Sequence, residues 1–218
     1  MGSRLALIFT MLFTGEIIFG QTQSFTCEIS FGPVIYPFYN YKNNENNGSY
    51  KAGGNLTYFI SERAGFNCGL GFESKNFMID YQNNNLNGWE IDKEYFEFRY
   101  RYLPLYFEIK FIDKEPNLLS ITSGLELNRL LSKNRREFFY NGLVVSDNFN
   151  DMQIAKYINN FRLSLSYRYF FCNTFYINIS PIIRFNISNS QGIHGNSGQG
   201  TAFSYVFEFA IGYKKNKV

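Results

Sequence analysis

Residues 98–111 read FRYRYLPLYFEIKF. Large apolar side chains take the even positions at Phe98, Tyr100 and Tyr102, alternating with Arg99 and Arg101. From Leu103 they take the odd positions, Leu105, Phe107, Ile109 and Phe111, alternating with Tyr106, Glu108 and Lys110. A two-residue period sends successive side chains to opposite faces of a strand, so the stretch predicts one apolar and one charged face. The slip at Tyr102–Leu103 predicts a one-residue β-bulge over 102–104, which would also accommodate Pro104 and its missing amide donor. On this reading Arg99, Arg101, Glu108 and Lys110 all lie on the charged face.

The same period recurs along the chain. Alternating segments are expected over 25–39, 50–61, 65–80, 94–111, 118–130, 156–170, 175–188 and 201–213. The segment at 156–170 is the most regular, with Phe161, Leu163, Leu165, Tyr167 and Tyr169 alternating with Asn160, Arg162, Ser164, Ser166 and Arg168. Connections after the first, third, fifth and seventh segments are long and rich in Asn and Gly, as in QNNNLNGWEID and SQGIHGNSGQG. Those after the second, fourth and sixth are short: ERA, IDKEPN and FCN. An even number of strands with long loops at one end and tight turns at the other is the layout of an eight-stranded up-and-down transmembrane β-barrel, with the termini and short turns in the periplasm.

Side-chain size decides which face is outside. The polar face is crowded with Gly, Ser, Thr and Asn, which suits the interior of a narrow barrel. The opposite face carries Phe, Tyr, Leu and Ile almost without break, more than eight strands could enclose. Aromatic residues are 20% of the chain, with 25 Phe and 17 Tyr. Tyr36, Tyr39, Tyr100, Tyr102, Tyr167, Tyr169, Tyr205 and Tyr213 fall near strand ends, where interfacial girdles are expected. If the polar face lines the lumen, it holds Glu28, Glu73, Glu97, Glu108, Glu126 and Glu208 together with Arg99, Arg101, Lys110, Arg162, Arg168 and Arg184. Buried charges must pair, so a structural network of cross-strand ion pairs is expected there. Pro33, Pro37, Pro104 and Pro181 should each sit at a bulge or outside the membrane band.

Residues 1–20 combine Arg4, an apolar run from Leu5 to Phe13 and a small residue at Gly20, the plan of a cleaved signal peptide; 21–218 would form the barrel domain. A net charge of +3, spread along the strands, does not favour nucleic acid. Cys27, Cys68 and Cys172 are too few and too scattered for a disulfide framework, and a single histidine leaves no metal cluster. No cofactor is expected. A lipid A-modifying enzyme would have to be built on His194 in GIHGNSG with Ser190, Ser197 or Ser204, and no base and orienter accompany it in sequence. The stretch around 131–155, with Lys133, Arg135 and Arg136, is the largest expected external loop and a contact site for envelope proteins or lipopolysaccharide phosphates.

The segments YLPLYFEIKF (Tyr102–Phe111), SGLELNRLLS (Ser123–Ser132), ISPIIRFNISN (Ile179–Asn189) and the closing EFAIGYKKN resemble recurring strands of the PorT-like outer-membrane β-barrel family of Bacteroidota. The resemblance implies an eight-stranded barrel in the cell outer membrane, with some members serving the gliding-linked secretion machinery. Such barrels commonly end on an aromatic residue, whereas here Lys214–Val218 follows Tyr213. Together these readings make the chain a non-enzymatic envelope protein of structural or interaction role; a narrow channel for a small solute or hydrophobic ligand is the alternative.

Overall fold

The computed structural model describes residues 24–36, 44–46, 48–80, 91–139, 141–147, 156–188 and 203–215. The expected leader, Pro37, Tyr39 and His194 lie outside the described residues. Among the described residues ten strands are present: β1 (Phe25–Ile35), β2 (Asn44–Asn46), β3 (Tyr50–Phe59), β4 (Ala64–Asp80), β5 (Ile91–Lys114), β6 (Asn117–Phe139), β7 (Val144–Asp147), β8 (Tyr157–Phe170), β9 (Phe175–Asn186) and β10 (Phe203–Lys215). Eight of them close a ring in the order β1, β3, β4, β5, β6, β8, β9, β10, every neighbour antiparallel. The two short strands extend this ring at its long-loop end, β2 against β4 and β7 against β6.

Alternation produces the barrel and turns it inside out relative to a soluble protein. On β8, Phe161, Leu163, Leu165, Tyr167 and Tyr169 are exposed, whereas Arg162, Ser164, Ser166 and Arg168 are buried. On β10, Tyr205, Phe207, Phe209, Ile211 and Tyr213 face out while Ser204, Glu208 and Gly212 face in. A continuous apolar wall of this kind far exceeds the few hundred Å² that a water-soluble monomer exposes. The structure is an all-β, eight-stranded transmembrane barrel.

Three features depart from the sequence expectation. First, the even positions of β5 stay inward from Glu94 to Lys110 without a slip. Tyr100 and Tyr102 are therefore buried in the lumen, and Arg99 and Arg101 are exposed on the outer surface. No bulge occurs at 102–104; the register shifts between β5 and β6 lie at Ile91/Lys93, Arg99/Tyr100 and Lys110/Ile112, and at the middle one Leu131 of β6 is the extra residue. Secondly, β5 and β6 run longer than expected, because residues 133–137, read as loop, continue the ladder against β5. Arg135 pairs there with Glu94 and Glu137. Thirdly, Tyr36 also points inward, so the outer aromatic girdle is built by Tyr167, Tyr169, Tyr205 and Tyr213 instead.

Inward tyrosines fit because glycines stand opposite them. Tyr102 pairs with Gly71 and Tyr176 with Gly212, and in each case a Cβ on the glycine would overlap the tyrosine ring. Gly53 completes the slot for Tyr102. The ring thus covers the bare backbone of its cross-strand partner. Gly71→Val should lower stability by about 1–3 kcal/mol, the usual cost of overpacking. Gly54→Ala is the control, since its nearest neighbour would be the Glu28 carbonyl oxygen at 3.8 Å. Urea unfolding in lipid vesicles reads both; equal midpoints would contradict the tyrosine–glycine fit.

Candidate functional site

The inward residues form layers along the barrel axis. At the short-turn end, Leu118, Phe170 and Tyr176 make an apolar cluster. At the long-loop end, Phe77, Ile79, Phe96, Phe98 and Tyr100 make a second, with Phe77 and Phe96 stacked at 4.9 Å between ring centroids. Val34, Tyr36, Ile182 and Val206 pack beside one another at the same end. Between these apolar ends lies the charged layer.

That layer has two centres. In the first, Arg168 on β8 donates from Nε to Glu28 on β1 at 2.9 Å and grips Glu108 on β5 through both terminal nitrogens. The bidentate fork matches the planar carboxylate, the strongest geometry available to an ion pair. Glu28 also accepts from the Tyr176 hydroxyl at 2.9 Å. In the second, Arg184 on β9 donates to both oxygens of Glu73 on β4 at 2.6 and 3.0 Å and reaches Glu126 on β6 at 3.2 Å. Its Nε donates to Ser204 at 3.1 Å, and the Tyr36 hydroxyl donates to Glu73.

Glu126 joins the second centre to a further pair of cations. It forms an ion pair with Lys51 on β3, accepts from Tyr106, and lies 3.7 Å from Arg162. Arg162 also donates to Glu208 at 3.4 Å and sits over the Tyr106 ring at 4.4 Å. Each of Glu28, Glu73, Glu108, Glu126, Glu208, Lys51, Arg162, Arg168 and Arg184 is almost fully buried. Their contacts cross the lumen between strands that are not ladder neighbours, for example β5 to β8 and β4 to β9.

Of the lumen charges expected from sequence, the structure brings together Glu28, Glu73, Glu108, Glu126, Arg162, Arg168, Arg184 and Glu208, whereas Glu97 lies on the outer face of β5. Lys110 is buried but stands apart at the short-turn mouth, 3.1 Å from Asp113 and over the Phe59 ring at 3.9 Å. Arg99 and Arg101 do not belong to the lumen. Arg99 pairs on the outer face with Glu97 at 2.7 Å and keeps 58% of its side chain exposed. The sequence reading took their aromatic neighbours for the lipid side, and the odd positions of β5 put the arginines outside.

Lys51, Tyr36, Tyr106 and Tyr176 were missed as network members. Lys51 carried a usable signal, since it shares its strand face with Asn55 and Thr57, both buried. The tyrosines carried one too: Tyr36, Tyr106 and Tyr176 fall in step with Glu28, Glu108 and Asn178 on the polar faces of their strands, although alternation does not show which charge each one meets. Ser204, a candidate nucleophile beside His194, is engaged with Arg184. No cluster of three His, Cys, Asp or Glu side chains suited to a metal occurs among the described residues. Cys27, Cys68 and Cys172 are exposed free thiols.

No family profile matches the chain, and no curated protein matches it. Solved structures do. The outer membrane protein OprG from Pseudomonas aeruginosa superposes with a TM-score of 0.52 at 10% identity, over 90% of this chain and 97% of that one. The N-terminal β-barrel domain of OprF from the same organism gives 0.46 at 10% identity, covering 89% and 100%. Neisserial surface protein A gives 0.46 at 8% identity, covering 88% and 97%. At such identities the likeness to OprG speaks for the fold alone, and that fold is the outer-membrane β-barrel.

Proposed function

We propose that this chain is an integral outer-membrane protein whose closed barrel anchors and presents its long-loop end, without enzymatic activity. The observation that carries this reading is the filled lumen. Two apolar clusters cap a layer of nine buried charged groups, so the barrel axis holds side chains from end to end. An eight-stranded ring has interior space for little else. Short turns at 60–63, 115–116 and 171–174 lie at the end that also carries Phe25 and Lys215, which corresponds to the periplasmic side of such barrels.

The long β5–β6 hairpin and the added strands β2 and β7 lengthen the barrel wall at the opposite end. This extension is the surface on which an envelope partner would dock. The resemblance to PorT-like barrels of Bacteroidota makes an accessory role beside a secretion complex the specific form of this proposal. Pull-down of the intact barrel from its own envelope, compared with a chain in which 133–147 is replaced by a short turn, tests it. Equal recovery of partners by both would count against the hairpin as the docking surface.

Two measurements test the plugged barrel. In planar bilayers the purified chain should show no conductance steps at either polarity, and steady ion-conducting steps would establish the channel reading instead. Arg184→Ala should cost about 3–5 kcal/mol, because Glu73 then remains buried without its ion-pair partner. Arg99→Ala should cost about 0–1 kcal/mol, since its pair is exposed. Vesicle unfolding curves separate the two variants, and similar midpoints would show that the network does not hold the barrel together.

A further inference from the structure

The outer face of the β5–β6 wall changes character abruptly. Leu103 and Leu127 are cross-strand partners on the lipid side, and the next outward pair toward the long-loop end is Arg101 opposite Arg129. Both arginines are exposed, and neither has an ion-pair partner among the described residues. Among the described residues the carboxylate nearby on this face is Glu97, which is occupied by Arg99 at 2.7 Å and by Asn134 at 3.3 Å. On the far side of Arg129 stands Tyr157, 58% exposed, with the Lys156 ammonium 6.0 Å from its ring centroid.

Like charges directly opposite across a ladder repel, so this pair is unfavourable without an anion. Its height specifies which anion. Below it run Leu103, Leu105, Phe107, Ile109 and Phe111 on β5, with Leu119, Ile121, Leu125 and Leu127 on β6. Arg101 and Arg129 therefore stand at the rim of the apolar band, where lipid headgroups begin. Near the long-loop ends of β1, β9 and β10 the outward residues are Ile35, Phe185, Phe203 and Tyr205, with no arginine pair among them.

We propose that Arg101 and Arg129, flanked by Arg99 and Lys156, bind the phosphate of a lipid headgroup in the leaflet at the long-loop end, which in an outer membrane is the phosphorylated sugar of lipid A. This rests on the membrane orientation given above. Two guanidinium forks side by side supply the bidentate donors that a phosphate accepts, and Lys156 adds a point charge.

Native mass spectrometry of the intact barrel, released from phosphatidylcholine vesicles containing a minority of lipid A, tests the site. Retained lipid A should fall at least about tenfold in the double variant R101Q/R129Q, the factor expected for loss of one charge-assisted hydrogen bond. K114Q, an exposed cation at the short-turn end of the same strand, should retain the wild-type amount. Lipid A stripped of its phosphates should bind wild type as weakly as lipid A binds the double variant, a comparison that stands even if that variant folds poorly. Inorganic phosphate should not displace the lipid; full displacement would make this a free-anion site and overturn the headgroup assignment. Equal retention by wild type and the double variant would also overturn it, with the membrane reading intact. A chain that never inserts into vesicles would overturn both.

Discussion

A ring of eight strands leaves room for little beyond its own inward side chains, and everything else in this structure answers to that constraint. Half of each strand must be polar if the other half faces lipid, and polar groups packed into a narrow lumen must find partners there. The arginines solve this by spanning. Arg168 ties β8 to β1 and β5, while Arg184 ties β9 to β4 and β6. Removing water from both partners of an ion pair costs roughly what their attraction returns. The network is therefore best understood as fixing which strands face which across the lumen, with net stability coming from elsewhere.

Volume imposes the second demand. Long arginine and glutamate side chains fill the middle of the barrel, but they are poor seals where the ring opens at either end. Aromatic rings serve there, and several stand opposite small residues that make space for them. Tyr102 over Gly71 and Tyr176 over Gly212 follow this rule. The Tyr176 hydroxyl reaches the charged layer and donates to Glu28, and the Lys51 ammonium stands 4.1 Å from the centroid of the Tyr102 ring. An inward tyrosine thus bridges the apolar cap and the ionic layer in one side chain.

Much of this was legible in the sequence. The two-residue period marked all eight ring strands, because a lipid-facing wall tolerates few interruptions. The alternation of long and short connections gave the antiparallel order. What alternation could not give was the sense of the face where both faces are unusual. At Phe98–Tyr102 the aromatic residues are inside and the arginines outside, opposite to the rule that holds from Leu103 onward. The continuous pleat preserves the geometry, and only the environment on the outer side changes, from lipid to interface. Glycine opposite tyrosine was the signal for the inward assignment. It required the register between β4 and β5, which no single strand contains.

The prolines show how the barrel absorbs local defects. Pro33, Pro104 and Pro181 were expected at a bulge or outside the membrane band, and the register is unchanged across each. Instead the ladder is interrupted on one side only. Pairing of β1 with β10 passes from Phe31↔Phe209 to Val34↔Val206, and that of β4 with β5 from Cys68↔Leu105 to Gly71↔Tyr102. On the other side each proline keeps its partner: Tyr50, Glu126 and Phe207. Side chains in the lumen compensate at the break. Where β8 and β9 skip from Ser164↔Ile182 to Tyr167↔Ile179, the Ser166 and Ser180 hydroxyls hydrogen-bond at 2.8 Å across the same gap. A missing backbone donor therefore does not force a bulge when the ring is closed and its interior ties the walls together. The inward polar side chains act as part of the sheet as well as its filling.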